Sequence, residues 1–324
     1  MFLHITILNS RETVSRVDDR FTRYSRIAAK IKNFVMKINS FIFVANSFIM
    51  KVVSIFSGKG GVGKTSVSIM FASWLKYYMK ERVVAYDFET PESRMLNKRN
   101  ADLGILKLKT ASLSKFTEGD DFYPVGAIKG RPEGYTEKEL DAIATSLGKA
   151  KQSGPGYIIC DFPGRFEKRE AVYHLAKCGL VDLFVFPIVP EEQSVTSLFV
   201  ITNMLRQKRF FQGVPDDYHQ ETLCFWNMVT RNDFRNGMDI IPKYEAMISA
   251  MGIPVSPTRV KFADSVKRIS SAPVFVTTTV AYPRSNFLRA FPPLPGEDKP
   301  YIENLFQEIK DRVDAVRPHE GGSK

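Results

Sequence analysis

The stretch Lys51-Val52-Val53-Ser54-Ile55-Phe56-Ser57-Gly58-Lys59-Gly60-Gly61-Val62-Gly63-Lys64-Thr65 decides the fold. Its first six residues are rich in β-branched and apolar types and read as a strand. Four glycines then crowd into six positions, and beyond them Val67, Phe71, Trp74, Leu75 and Tyr78 recur at helical spacing on one face. A glycine-rich loop between a strand and a helix is the setting of a phosphate cradle. Glycine turns the backbone through positive φ and brings its N–H groups onto phosphate oxygens with no Cβ in the way. The helix that follows aims its positive dipole end at the same anion. Within G-x-x-x-x-G-K-T, Lys64 is placed to reach the β- and γ-phosphates and Thr65 to offer its hydroxyl to magnesium. The expected nucleotide-binding set is Gly58, Lys59, Gly60, Gly61, Val62, Gly63, Lys64, Thr65 and Ser66. Four fixed positions of common residue types recur by chance in roughly one chain in a hundred of this length. The strand before and the helix after make chance a poorer account still.

Outward from this loop, short β-branched runs alternate with amphipathic stretches, the pattern of βαβ units around a parallel sheet. Strands are expected at Val52–Phe56, Val83–Asp87, Tyr157–Asp161, Leu183–Pro187, Thr222–Met228 and Val255–Val260. Helices are expected at Thr136–Lys151, Glu167–Lys177, Glu192–Arg206, Asp239–Met251 and Pro300–Val316. The fold class is therefore α/β, a P-loop NTPase fold with a mostly parallel twisted sheet and helices on both faces. No internal repeat and no second P-loop occurs, which argues against a tandem duplication. A single domain is expected over residues 50–316, and the tail 317–324 is expected to be disordered.

Residues 1–49 carry +5 of the formal net charge of +11, and residues 50–324 carry the other +6. This first stretch mixes basic residues with apolar ones such as Phe41, Ile42, Phe43 and Val44. The apolar run is too short to span a bilayer, and no cleavage pattern follows it. A surface-targeting segment, an added helix and translated upstream sequence all remain open. The last fits best, because Met50 directly precedes the opening strand, so a chain beginning at Met50 is expected to be fully active. Cys160, Cys178 and Cys224 lie far apart with no CxxC pair, which argues against a disulfide framework or a zinc or iron–sulfur site and fits a reducing cytoplasm.

Lys59 makes the loop more specific. Lys59-Gly60-Gly61-Val62-Gly63-Lys64-Thr65 resembles the deviant Walker A signature of the ParA/MinD ATPases. Tyr157-Ile158-Ile159-Cys160-Asp161-Phe162-Pro163-Gly164 resembles that family's Walker B, and Val83-Val84-Ala85-Tyr86-Asp87-Phe88-Glu89 its second-strand Asp-x-Asp motif. The resemblance covers most of residues 50–280. It implies an ATP- and Mg²⁺-dependent ATPase in which Lys59 crosses a dimer interface to the partner's nucleotide, so that hydrolysis waits on ATP-driven dimerisation. Catalytic roles then fall to Lys59, Lys64, Asp87 and Glu89, and the metal to Thr65, Asp87 and Asp161. Glu89 departs from the family's second Asp by one methylene, a change of about an ångström at which positioning of an attacking water becomes expensive. Asn227, at the end of the Phe225-Trp226-Asn227 strand, matches the family's adenine-binding Asn.

Absences narrow the choice within that superfamily. The cysteines match neither the nitrogenase reductase-like nor the cluster-scaffold pattern. The C-terminal helix carries Ile302, Leu305, Phe306, Ile309, Val313 and Val316 on one face, but its other positions are too acidic for an anionic bilayer. It is expected to dock on the domain, with no membrane insertion. Basic groups late in the chain are Arg206, Lys208, Arg209, Arg259, Lys261, Lys267 and Arg268, with Arg284 and Arg289 beyond. In ParA-like partition proteins such residues hold DNA non-specifically through phosphates, in the ATP-bound dimer. The resemblance thus implies a cytoplasmic, nucleoid-associated homodimer stimulated by a ParB-like centromere-binding protein. A positioning ATPase for a protein machine and a dethiobiotin synthetase-like ligase or kinase are the alternatives. Residues 280–300, rich in proline, match nothing recognisable.

Overall fold

A computed structural model of the chain describes residues 49–88, 94–98, 100–101, 123–128, 133–207, 220–230, 233, 240–260 and 301–316. The chain divides between Phe48 and Ile49 into two units, and every described residue lies in the second. The stretch 1–48, the tail 317–324 and the proline-rich stretch 280–300 fall outside the described residues.

Among the described residues, six strands form one sheet: β1 (Met50–Ile55), β2 (Val83–Asp87), β3 (Val125–Ala127), β4 (Gly156–Asp161), β5 (Leu183–Ile188) and β6 (Glu221–Trp226). Their order is β3-β2-β4-β1-β5-β6, and every pair is parallel. Helices among the described residues include α1 (Lys64–Ser73), α2 (Glu137–Lys151), α3 (Ala171–Lys177), α4 (Glu192–Arg206), α5 (Ile240–Ala250) and α6 (Tyr301–Ala315). This is the expected α/β P-loop architecture.

Strand alternation builds two cores. Val53 and Ile55 of β1, Tyr157 and Ile159 of β4, and Val185 of β5 face one helical layer, made by α1 and α6. Val52, Ile158, Cys160, Phe184 and Phe186 face the other, made by α2, α3, α4 and α5. Strands covered on both faces need apolar residues at successive positions, which is why β1, β4 and β5 read as nearly continuous apolar runs. The chain leaves β1 toward one side of the sheet and leaves β5 toward the other. Their C-terminal ends therefore flank a switch point, where open α/β sheets bind ligands.

Helix ends follow local chemistry. Thr136 caps α2 by accepting from the Glu139 amide, while the Glu139 carboxylate accepts from the Thr136 amide at 2.8 Å. That capping box satisfies two otherwise orphaned donors. The helix after the P-loop continues past Ser73 as a π-helical turn, Trp74–Tyr78, closed by the Met79 amide donating to the Trp74 carbonyl at 3.1 Å. Helix α6 docks on the sheet as its sequence implies: Ile302, Leu305, Phe306, Ile309 and Val313 are fully buried.

Two expectations shift, and one strand was not foreseen. Val255–Val260 is no strand; it runs beside β6 with one isolated bridge, Cys224 to Val255. The Ser256 amide donates to the Cys224 carbonyl, but the Thr258 amide, next in line for a ladder, donates to the Ser256 hydroxyl at 3.2 Å, and the pairing breaks there. β3 was not legible, being three half-buried residues with Gly126 in the middle. Helix α3 starts at Ala171, not Glu167, because residues 167–170 form a turn in which the Glu170 amide donates to the Glu167 carbonyl at 2.9 Å. The Arg169 carbonyl at that turn accepts from the Tyr135 amide at 2.9 Å.

Candidate functional site

The loop between β1 and α1 has the backbone that the glycines imply. Gly63 occupies the N-cap of α1 in the left-handed region, φ 84°, and Gly61 has φ 76°. A side chain at Gly63 is excluded twice, since its Cβ would also lie 2.7 Å from the Asn227 amide nitrogen. A Cβ at Gly60 or Gly61 would meet no protein atom within 4 Å, so the backbone there is open to an approaching group. At the other end, a Cβ on Gly58 would strike Ser197 of α4. Lys64 Nζ donates back to the Lys59 carbonyl at 3.2 Å, so its ammonium lies across the loop. Thr65 and Ser66 sit half-buried in the first turn of α1.

The two strand-end aspartates come to the same height. Asp161 is the ladder neighbour of Ile55 on one side and of Asp87 on the other. Both carboxylates are buried, at 1% and 0% exposure. Asp161 Oδ1 accepts from the Ser68 hydroxyl at 3.2 Å. Asp87 Oδ2 accepts from the amides of Met95 and Leu96, at 2.8 and 3.4 Å, and so anchors the first turn of the helical stretch 94–98. Phe88 and Phe162, the residues after the two aspartates, stack with centroids 4.4 Å apart, and the Phe88 amide donates to the Asp161 carbonyl. The segment after β4 then packs on the loop: a Cβ at Gly164 would lie 3.3 Å from the Ser57 carbonyl oxygen.

Burial governs the titratable groups nearby. It pushes the Cys160 thiol up, so that this neighbour of Asp161 stays neutral and inert. It also raises Tyr135 to about 12, with further help from Glu170, Glu139 and Asp87. Glu170 is pushed up by burial, partly offset by the Arg165 guanidinium 3.9 Å away.

Several expected site residues have partners inside the chain. Lys59 is ion-paired with Glu191, the residue before α4. Asn227 donates from its side-chain amide to the Val62 carbonyl at 2.7 Å, tying the end of β6 to the loop. Arg206 caps the C-terminus of α5 through the carbonyls of Met251 and Gly252. Arg259 donates to both oxygens of Glu245 on α5, at 2.9 and 3.0 Å, and the Trp226 indole donates to the same carboxylate. Neither arginine is a freely presented cation. Glu89, Lys208, Arg209, Lys261, Lys267 and Arg268 lie outside the described residues. Sequence reasoning missed Glu191, which carries no local signal. It also missed Ser68, whose position one turn after Lys64 was the available clue.

A left-handed glycine before a helix, a lysine folded over the loop and two buried carboxylates on adjacent strands define a P-loop nucleotide-binding protein. Residues 53–271 match the CobQ/CobB/MinD/ParA nucleotide-binding domain model, and the chain belongs to that family. No curated protein is similar enough in sequence to match it. The fold is similar to that of MinD in the MinC:MinD cell division complex of Aquifex aeolicus, with 14% identity and a TM-score of 0.51 over 81% of this chain and 96% of that one. It is also similar to a candidate plasmid partition protein from Borrelia burgdorferi B31 bound to AMPPNP, with 17% identity and a TM-score of 0.50 over 81% and 99%.

Proposed function

We propose that the chain is an ATPase that dimerises on ATP and carries DNA non-specifically in that state, as a partition protein does. The observation that carries this reading is Lys59, a second lysine within a P-loop of a ParA/MinD-family domain. A cation that its own loop does not need is the group a partner's nucleotide can use, which is arginine-finger logic performed with lysine. In this chain Lys59 is held by Glu191, so the exchange trades one ion pair for a contact with the partner's phosphates.

The remaining roles follow from position. Backbone N–H groups of 60–64 cradle the phosphates, and Lys64 moves from the Lys59 carbonyl to the β- and γ-oxygens. The donors Thr65, Asp87 and Asp161 are hard oxygens on facing elements, the kind that suits magnesium. Held by these residues, a magnesium ion would supply positive charge against the phosphates. The amides of Met95 and Leu96 hold one oxygen of Asp87 and so fix its carboxylate at the strand end beside Asp161. Glu89 is assigned to orient the attacking water, and Asn227, anchored on Val62, to read the adenine. The Borrelia protein of the same fold holds AMPPNP, which supports an adenine nucleotide as the ligand.

DNA contact rests on the basic groups late in the chain, with Lys208, Arg209, Lys261, Lys267 and Arg268 carrying it, since Arg206 and Arg259 are engaged in holding α5. Fluorescence anisotropy on a random-sequence duplex tests the reading, with ATP, with ADP and with Lys64→Ala. Binding is expected with ATP alone, weakening by about 10³-fold or more between 50 and 200 mM salt for six or more phosphate contacts. No binding at low salt with ATP eliminates partition and turns the reading toward a protein cargo.

A further inference from the structure

Ser68 lies one helical turn beyond Lys64 on α1 and is fully buried. Its hydroxyl oxygen is 3.0 Å from the Lys64 carbonyl and 3.2 Å from Asp161 Oδ1. A hydroxyl has one proton to donate, so the two acceptors compete for it. In an α-helix the Lys64 carbonyl already accepts the Ser68 amide, whereas a hydrogen bond to a carboxylate is charge-assisted and roughly twice as strong as a neutral one. The Ser68 hydroxyl therefore donates to Asp161 Oδ1.

We propose that Ser68 is a positioning residue that fixes the plane of the Asp161 carboxylate, so that its other oxygen faces the divalent cation beside the nucleotide. The terminal torsion of an aspartate is broad and two-fold, so without a bond to one oxygen the plane is poorly set. Both anchor points are rigid. Ser68 is on the helix that begins at the P-loop, and Asp161 ends a strand paired on both sides. One hydroxyl thus ties the phosphate-binding and cation-binding elements together. This rests on the assignment of Asp161 to the cation made above.

The test uses the full chain, AMPPNP and Mn²⁺ as the probe ion, with bound and free Mn²⁺ separated by electron paramagnetic resonance. Ser68→Ala removes the hydroxyl at nearly constant shape. It is expected to weaken Mn²⁺ binding to the nucleotide complex about tenfold, the scale of a hydrogen bond to a charged group. AMPPNP affinity in EDTA is expected to stay within about twofold of wild type, because the phosphate cradle is untouched. Ser68→Cys, which keeps a weak donor, is expected to fall between the two. Equal Mn²⁺ affinity in wild type and Ser68→Ala overturns the proposal, as does a parallel loss of Mn²⁺ and metal-free nucleotide binding, which marks a purely structural serine. Wild-type chain that binds AMPPNP identically with and without Mn²⁺ overturns the cation assignment itself, a failure visible before any variant is made.

Discussion

Lys59 is legible in the sequence because its neighbours announce it: a lysine between Gly58 and Gly60 in a P-loop stands out. Its partner Glu191 is 132 residues away and precedes a helix like many other glutamates, so only folding pairs them. The pair is partly exposed, at 21% and 59%, which limits its worth to the range of surface ion pairs, at most about 1 kcal/mol. In the dimer proposed above, removing the carboxylate would release Lys59 for the partner's nucleotide. Glu191→Gln is therefore expected to lower the protein concentration needed for ATP-dependent dimerisation by up to about fivefold, measured by sedimentation with AMPPNP. A higher concentration requirement would falsify the view that Glu191 competes with the partner. The arginines teach the opposite lesson. Arg206 and Arg259 read as basic surface in the sequence, yet each is spent on α5, one on its terminal carbonyls and one on Glu245. Charge is visible in a sequence, but whether the group that carries it is already engaged is not.

At the scale of elements, α6 was legible and its anchorage was not. The spacing of Ile302, Leu305, Phe306, Ile309 and Val313 fixes one apolar face, which any helix in water must bury. The structure supplies the surface: Phe306 lies 5.6 Å from Phe71 and 5.9 Å from Trp74, ring centre to ring centre. The fit is fixed further by the Tyr157 hydroxyl donating to Asp314 at 2.7 Å and by Lys51 donating to the Val316 carbonyl at 2.6 Å. Phe306→Ala, which truncates a fully buried ring, is expected to destabilise the domain by about 3 to 5 kcal/mol in urea unfolding. A loss below about 1 kcal/mol would mean that α6 is a peripheral attachment. The short elements escaped for a physical reason. β3 has three residues and is held by its register against Ala85, Tyr86 and Asp87, a partner that no local pattern reveals.

At the scale of the molecule, the parallel sheet begins at Met50 among the described residues. That residue is fully buried and pairs with Gly156, and Ser153 donates to its sulfur at 3.7 Å. Among the described residues, the β1 ladder runs from Met50↔Gly156 to Ile55↔Asp161. A chain starting at Met50 is expected to melt within about 2 °C of the full chain and to bind AMPPNP with the same affinity. Lower melting or lost nucleotide binding would give residues 1–49 a part in the fold. The sequence by itself determined the class of fold and the cradle, because glycine spacing and apolar periodicity are local properties that follow from sterics and burial along one stretch of chain. It could not determine how Lys59 meets Glu191, how Ser68 meets Asp161, or how Asp87 is shared with the amides of 95 and 96. Those meetings depend on strand order and helix placement, which the packing of the two cores against one sheet decides.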